Sequence, residues 1–266
     1  MPRFTDAASY ADSFGFQWTT FHRTQLDEGV RSESEEAFSQ KTGLTPSDLD
    51  GKDVLDVGCG MGRFADVACR WGARLVVALD LSRAVDAARQ NLSGHDAASV
   101  IQADAADPPL AHGSFDIVFS IGVLHHTPNT ARSLAAVAKL VKPGGILAVW
   151  LYPRSLRVKH AGSEVLRPIT SRMPEDRLLR VVRTVVPQMD RIHKRFPHAA
   201  RPLRIVIPTS AHPDPEWRIL DTFDWYSPRY QWKHSEPEVV GWFDRLGFEH
   251  TRVLPVPVSV QGRRPT

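Results

Sequence analysis

The chain has 266 residues, of which 42% are hydrophobic and 24% charged, with a formal net charge of +3. That length carries one full α/β domain with a smaller accessory region, and the apolar share is enough for a sizeable core. The charge excess is too small to mark a nucleic-acid binder by itself, and no apolar run approaches the length of a bilayer span.

The start, Met1-Pro2-Arg3-Phe4-Thr5-Asp6, lacks the apolar run of a leader. The two cysteines, Cys59 and Cys69, lie ten positions apart across a turn and a helix, too far to bridge, which fits a reducing compartment and a cytoplasmic protein. Residues 1–50 read as an N-terminal helical extension. Phe14, Phe16, Trp18 and Phe21 place four aromatics within eight positions, Asp27 ends that stretch, and residues 32–40 follow as an acidic, helix-like run.

From Gly51 onward strands and helices alternate regularly, a pattern that predicts a parallel sheet covered on both faces. Strands are expected at 53–57, 74–79, 99–102, 115–120 and 146–150, with helices at 62–71, 82–92 and 129–141. Ser82 is the expected cap of the second helix, and Pro143-Gly144-Gly145 the turn into the fifth strand.

Residues 151–235 break the rhythm. Between 154 and 204, Arg154, Arg157, Lys159, Arg167, Arg172, Arg177, Arg180, Arg183, Arg191, Lys194, Arg195, Arg201 and Arg204 face only four acids, and the eight prolines from 168 to 215 are expected to cut the segment into short helices. Residues 221–234 are dense in aromatic rings with polar tips, a mixture that suits a pocket wall or a packed loop. Residues 236–266 then read as a helix at 238–246, stopped by Gly247, and strands at 248–254 and 257–263 that close the sheet as an antiparallel pair.

The chemistry is concentrated in Val54-Leu55-Asp56-Val57-Gly58-Cys59-Gly60-Met61-Gly62-Arg63-Phe64. Three apolar residues around one acid make a buried strand, and three glycines in five positions let the backbone approach a ligand closely. The helix that follows presents its free N–H groups and positive dipole end beside that turn. Leu75-Val76-Val77-Ala78-Leu79-Asp80 repeats the buried strand and ends in an acid placed to take both hydroxyls of a ribose. A dinucleotide fingerprint would need glycine at 63, where Arg63 stands.

Together with Asp104, Phe115-Asp116-Ile117-Val118 and Lys142-Pro143-Gly144-Gly145, these motifs resemble class I S-adenosylmethionine-dependent methyltransferases over roughly residues 51–150. The resemblance implies a Rossmann-like, doubly wound, mostly parallel seven-stranded sheet with an antiparallel last strand. It also implies a cofactor-binding core at 51–150, an N-terminal extension at 1–50, a helical lid or substrate insertion at 151–235, and a closing segment at 236–266. For the cofactor, S-adenosylmethionine, it implies contacts from Gly58, Cys59, Gly60 and Gly62 to the methionyl part and from Asp56 to its ammonium. Asp80 is implied for the ribose, Asp104 for the adenine amino group, and Phe64, Leu81 and Ala105 for neighbouring contacts. Phe16, Gln17 or Trp18 would cover the site, and Ile121, Gly122, Val123 and His126 would border it after the fourth strand.

His125 and His126 are the natural proton acceptors, with Tyr226 and His234 as second choices. No metal-ligand cluster is expected. Asp107-Pro108-Pro109-Leu110 resembles the acid-Pro-Pro-aromatic grip of base-amine methyltransferases, but it precedes the fourth strand and lacks the aromatic, which argues against nucleic acid as the target. The expected reaction is methyl transfer to oxygen or nitrogen of a small molecule, with the basic insertion favouring an acidic or phosphate-like part. An RNA methyltransferase and a nicotinamide-dependent oxidoreductase are the alternatives.

Overall fold

The computed structural model describes residues 10–26, 32–155, 161–198 and 200–266. Met1-Asp6, Asp27, Arg157 and Lys159 lie outside the described residues. Two compact units are present, one of residues 1–153 with 230–266 and one of residues 154–229.

The first unit begins with α1 (Asp12–Thr20), α2 (Glu33–Thr42) and the short α3 (Pro46–Leu49), which is held by a capping box between Thr45 and Asp48. The alternation then gives β1 (Asp53–Val57), α4 (Arg63–Arg70), β2 (Leu75–Asp80), α5 (Ala84–Asn91), β3 (Ala98–Gln102), β4 (Phe115–Ile121), α6 (Thr130–Ala138) and β5 (Val141–Trp150). The sheet has seven strands in the order β3-β2-β1-β4-β5-β7-β6, with β7 (Ser259–Arg263) antiparallel to both β5 and β6 (Glu249–Val253). This is the expected seven-stranded, doubly wound sheet.

Every residue of β1 is buried, as a central parallel strand demands. Its side chains alternate between two cores. Leu55 and Val57 pack with Val118, Leu134 and Phe243 on one face; Val54 packs with Ile117, Phe119 and Phe38 on the other. Phe38 of α2 meets Trp71 and Phe119 edge-on, with ring centroids 5.3 and 5.0 Å apart, so α2 docks on the sheet through this ring.

The fifth strand starts earlier than the glycine turn implied. Phe115 pairs with Val141 and Ile117 with Ile146, so Lys142 to Gly145 bulge out of a strand that is already under way. The bulge lets Lys142 Nζ reach both Asp53 Oδ2 and Asp116 Oδ2 at 2.9 Å, tying the amino-terminal ends of β1, β4 and β5 together. Ser82 is not the cap of α5, because Arg83 holds the N-cap position. Its hydroxyl instead donates to Asp80 at 2.7 Å and accepts from the Ala84 N–H at 3.2 Å, bracing the end of β2.

In the second unit, α7 (Ala161–Thr170), α8 (Glu175–Arg195), α9 (Arg201–Val206) and α10 (Pro215–Tyr226) are longer than the prolines implied. Pro187 lies inside the 21-residue α8 without ending it. Leu178, Leu179, Val182, Val186 and Met189 bury one continuous stripe of that helix, and such packing outweighs the loss of one backbone hydrogen bond. The aromatic stretch at 221–234 begins inside α10 and becomes a loop only after Tyr226. Back in the first unit, α11 (Glu236–Arg245) opens on a capping box between Ser235 and Glu238. Among the described residues no helix is long and apolar enough to cross a membrane.

Candidate active site

In an open α/β sheet, ligands bind beyond the carboxyl ends of the strands where the order reverses, here between β1 and β4. Gly58, Asp80, Ala103 and Ile121 are the residues at or just beyond the ends of β1, β2, β3 and β4, so the acid-and-glycine motifs converge there. The Gly58 and Cys59 N–H groups both donate to Leu79 O, at 2.6 and 2.9 Å, which folds the turn back over β2. Gly58 has φ +81°, and a Cβ there would overlap Val123, the residue that follows β4 and Gly122. Glycine is therefore required twice at that position, for the left-handed backbone and for space.

Asp80 organises the turn. Its carboxylate accepts from the Gly60 N–H at 2.9 Å and from the Ser82 N–H and hydroxyl at 2.8 and 2.7 Å. Burial nonetheless pushes its pKa above the ordinary carboxylate range, with the hydrogen bonds opposing that rise. Asp56 is more extreme. It is 2% exposed, its Oδ2 has no hydrogen-bond partner among the described residues, and burial followed by the neighbouring Asp80 charge raises its pKa well above normal. Asp104 accepts from the Ala106 N–H at 2.8 Å. Cys59 is buried in the turn, and burial holds its thiol protonated.

The N-terminal helix lies across this end of the sheet. Tyr10, Phe14 and Trp18 recur every four residues and meet three parts of the site. The Tyr10 hydroxyl bonds Asp104, and burial followed by the Asp104 and Asp80 charges raises its pKa. The Phe14 ring centroid is 4.9 Å from that of His126. The Trp18 indole nitrogen stands 3.0 Å from where a Gly60 Cβ would lie. Gln17 is 1% exposed, and its Oε1 has no partner. Trp18 was singled out from the sequence; Tyr10 was not, although its four-residue spacing from Phe14 and Trp18 was a usable signal.

The two histidines after β4 differ. His125 is fully buried, both its ring nitrogens are without hydrogen-bond partners, and burial holds it neutral, its pKa well below normal. Its ring stacks 4.0 Å from that of Tyr152 and 4.1 Å from that of His126. Such a ring is a packing element. His126 Nδ1 lies 2.8 Å from the Tyr230 carbonyl and must donate to it, which places the neutral ring's lone pair on Nε2. Tyr152, absent from the sequence reading, and Tyr230, which lies in the aromatic stretch expected at 221–234, meet the histidines only through long-range folding.

The second-choice acceptors have other work. His234 Nε2 is 3.1 Å from Thr130 Oγ1 and its Nδ1 is 3.3 Å from Glu238, so the ring brackets the starts of α6 and α11. Tyr226 belongs to the second unit, where its hydroxyl donates to Pro208 O at 3.1 Å and burial pushes its pKa up to about 12.

Residues 55–149 match the methyltransferase domain family. Over this segment the chain is similar to a methyltransferase domain. The chain is 44% identical over 105 residues to a ubiquinone biosynthesis O-methyltransferase of Thiobacillus denitrificans, covering 38% of this chain and 44% of that protein. It is 33% identical over 124 residues to the chloroplastic tocopherol O-methyltransferase of Arabidopsis thaliana, covering 44% and 34%. The chain thus spans less than half the length of these relatives. Across 96% of both chains it has the fold of magnesium protoporphyrin IX methyltransferase from Synechocystis PCC 6803, solved with S-adenosylhomocysteine bound, at a TM-score of 0.53 and 19% identity.

The methyltransferase domain fits that cofactor on its own geometry. Asp56 Oδ2 is a buried acceptor with no partner among the described residues, Gly58 leaves no room for a Cβ, and the buried Asp56 with the half-buried Asp80 beside it is an acid pair that a cationic ligand would neutralise.

Proposed function

We propose that the protein is an S-adenosylmethionine-dependent O-methyltransferase acting on a hydroxyl of a small, ring-bearing molecule. The observation that carries this reading is the buried Asp56 with the half-buried Asp80 beside it, at the rim of a glycine turn whose backbone N–H of Gly60 is already directed at Asp80. When bound, the cofactor supplies an electrophilic methyl group on a positively charged sulfur. In this reading Asp56 accepts from the ammonium, Asp80 from the ribose hydroxyls and Asp104 from the adenine amino group, and Gly58 to Gly62, Phe64, Leu81 and Ala105 line the path between them. Trp18 and Tyr10 exclude water from the turn.

Ile121, Gly122 and Val123 border the reacting end, and His126 Nε2 receives the proton of the acceptor hydroxyl. The assignment to oxygen is supported by the names of the curated relatives. The ring-bearing acceptor is supported by the His125, His126, Tyr152 and Phe14 rings gathered after β4 and β5. Proximity and orientation supply most of the acceleration in such an in-line displacement, so a single well-placed base suffices.

Calorimetry with S-adenosylhomocysteine tests the cofactor half, with binding expected in the wild type and a large loss in Asp80→Ala. Methyl transfer to a simple ring diol such as 3,4-dihydroxybenzoate tests the acceptor half. No heat with the cofactor product, together with an unaltered Asp80→Ala protein, would overturn the reading.

A further inference from the structure

A soluble helical unit hides its large aliphatic side chains, yet the second unit displays them. Val165 is 75% exposed, Ile169 67%, Val206 60% and Phe196 54%, with Ile205 and Ile192 also open. These are not scattered. Gly162, Val165, Leu166 and Ile169 share one face of α7 by their i, i+3, i+4, i+7 spacing, and Gly162 packs directly on the backbone of Ile205 and Val206 in α9. From Val206 an open groove runs over Leu203, Pro202 and Ala200 to Phe196 and Ile192 at the end of α8. The result is one apolar surface spread over three helix faces.

Cations frame it. Residues 191–207 contain Arg191, Lys194, Arg195, Arg201 and Arg204 and no acid, and all five of those side chains are exposed. Asp190, just before them, is already engaged by Lys194 and Arg218, each at 2.8 Å. Exposed apolar side chains interspersed along the sequence with exposed cations, of which Arg195 lies over the Phe196 ring, complement a surface that offers acyl chains beneath anionic headgroups. A second copy of this chain is a poor fit, because a two-fold contact would oppose arginine to arginine. Phosphates of a nucleic acid would engage the cations and leave the aliphatic surface unused.

We propose that the unit formed by residues 154–229 docks on an anionic lipid bilayer, with Val165, Ile169, Ile205, Val206 and Phe196 entering the interface and the arginines of residues 191–204 meeting lipid phosphates. The docking is independent of the methyl-transfer reading.

Flotation of the full chain with vesicles tests it. Vesicles of phosphatidylcholine mixed with phosphatidylglycerol should capture the protein, and vesicles of phosphatidylcholine alone should capture far less. Arg201→Gln with Arg204→Gln should weaken capture roughly 30-fold, about fivefold for each cation removed. Ile169→Asp with Val206→Asp, at positions already open to water, should abolish capture while circular dichroism and the heat with S-adenosylhomocysteine stay as in the wild type. Three results would overturn the proposal: no capture on anionic vesicles, capture unchanged by the aspartate pair, or a wild-type dimer in sedimentation that the aspartate pair dissociates.

Discussion

Asp56→Asn separates the cost of the site from its use. In the apoprotein the Asp56 carboxylate is buried beside Asp80, accepts from the Ala65 backbone N–H and has one oxygen without a partner. Asparagine keeps the shape and the Ala65 bond but removes the charge. Its folded-state pKa is raised, so the stability this group contributes is fully present below the ordinary carboxylate pKa and is lost as pH rises through the raised value. Removing the carboxylate should therefore stabilise the apoprotein at pH 8, by roughly 1–3 kcal/mol for a poorly satisfied buried polar group. For a chain of this size that is a rise of about 3–9 °C in the thermal midpoint. Cofactor binding should move the other way. Loss of a charge-assisted hydrogen bond costs about 1.5–3 kcal/mol, or roughly 10- to 150-fold in the dissociation constant for S-adenosylhomocysteine. The wild type should also release protons on binding and bind more tightly as pH rises, and Asp56→Asn should show less of both. Calorimetry in buffers of different ionisation enthalpy, with thermal melts from pH 5 to 9, measures every quantity. An Asp56→Asn protein with unchanged affinity and an unchanged or lower midpoint would refute the reasoning.

Gly58→Ala should destabilise the domain by about 3 kcal/mol or more, from a left-handed φ and overlap with Val123 together. Adding Val123→Gly, which removes the Val123 Cβ at 2.7 Å as well as its two methyls, should restore the steric part and leave about 1–2 kcal/mol of backbone strain, read by urea denaturation; equal damage in the single and double variants would contradict this. His126→Ala should lower turnover by roughly 10²–10⁴-fold, the usual worth of a general base, and flatten the acid limb of the rate profile. His125→Phe should keep turnover and resist acid better. The His125 pKa is depressed on folding, so wild-type stability falls as pH drops below about 6.5, and removing the imidazole removes that loss. Trp18→Ala uncovers Gly60 and should weaken S-adenosylhomocysteine binding roughly tenfold, chiefly through faster release in stopped flow.

The half of the fold that builds the cofactor turn was legible because its signals are local. Strands β1, β2 and β4 are near-continuous apolar runs, and an acid or glycine at the end of each is visible without knowing what it meets. What escaped depends on partners far along the chain. The early start of β5 follows from the pairing of Val141 with Phe115, which no reading of Lys142-Pro143-Gly144-Gly145 contains. The persistence of α8 through Pro187 follows from a stripe buried within its own unit. His125 and His126 are identical in type and adjacent, and only the Tyr230 carbonyl, 104 residues away, distinguishes the oriented ring from the packed one.

The acids of the sheet supply the strongest physical argument for a cationic ligand. At the amino-terminal end, Asp53 and Asp116 meet Lys142 at 2.9 Å, and Arg74 adds a further cation beside Asp53. Burial works against the Asp116 charge, yet the Asp53 N–H and Lys142 outweigh it and hold its pKa below the usual range. At the carboxyl-terminal end, three residues further along the same strand β1, Asp56 is more deeply buried than Asp53 and its neighbour Asp80 is half-buried, and their donors among the described residues are only N–H and hydroxyl groups. One chain has thus neutralised its strand acids at one end and left them at the other to bear the full cost of burial. Selection for stability alone would have replaced Asp56 with an aliphatic residue like its neighbours Leu55 and Val57. That cost is recovered only when something positively charged enters the glycine turn, and it makes the site's affinity and the apoprotein's instability two readings of the same buried charge.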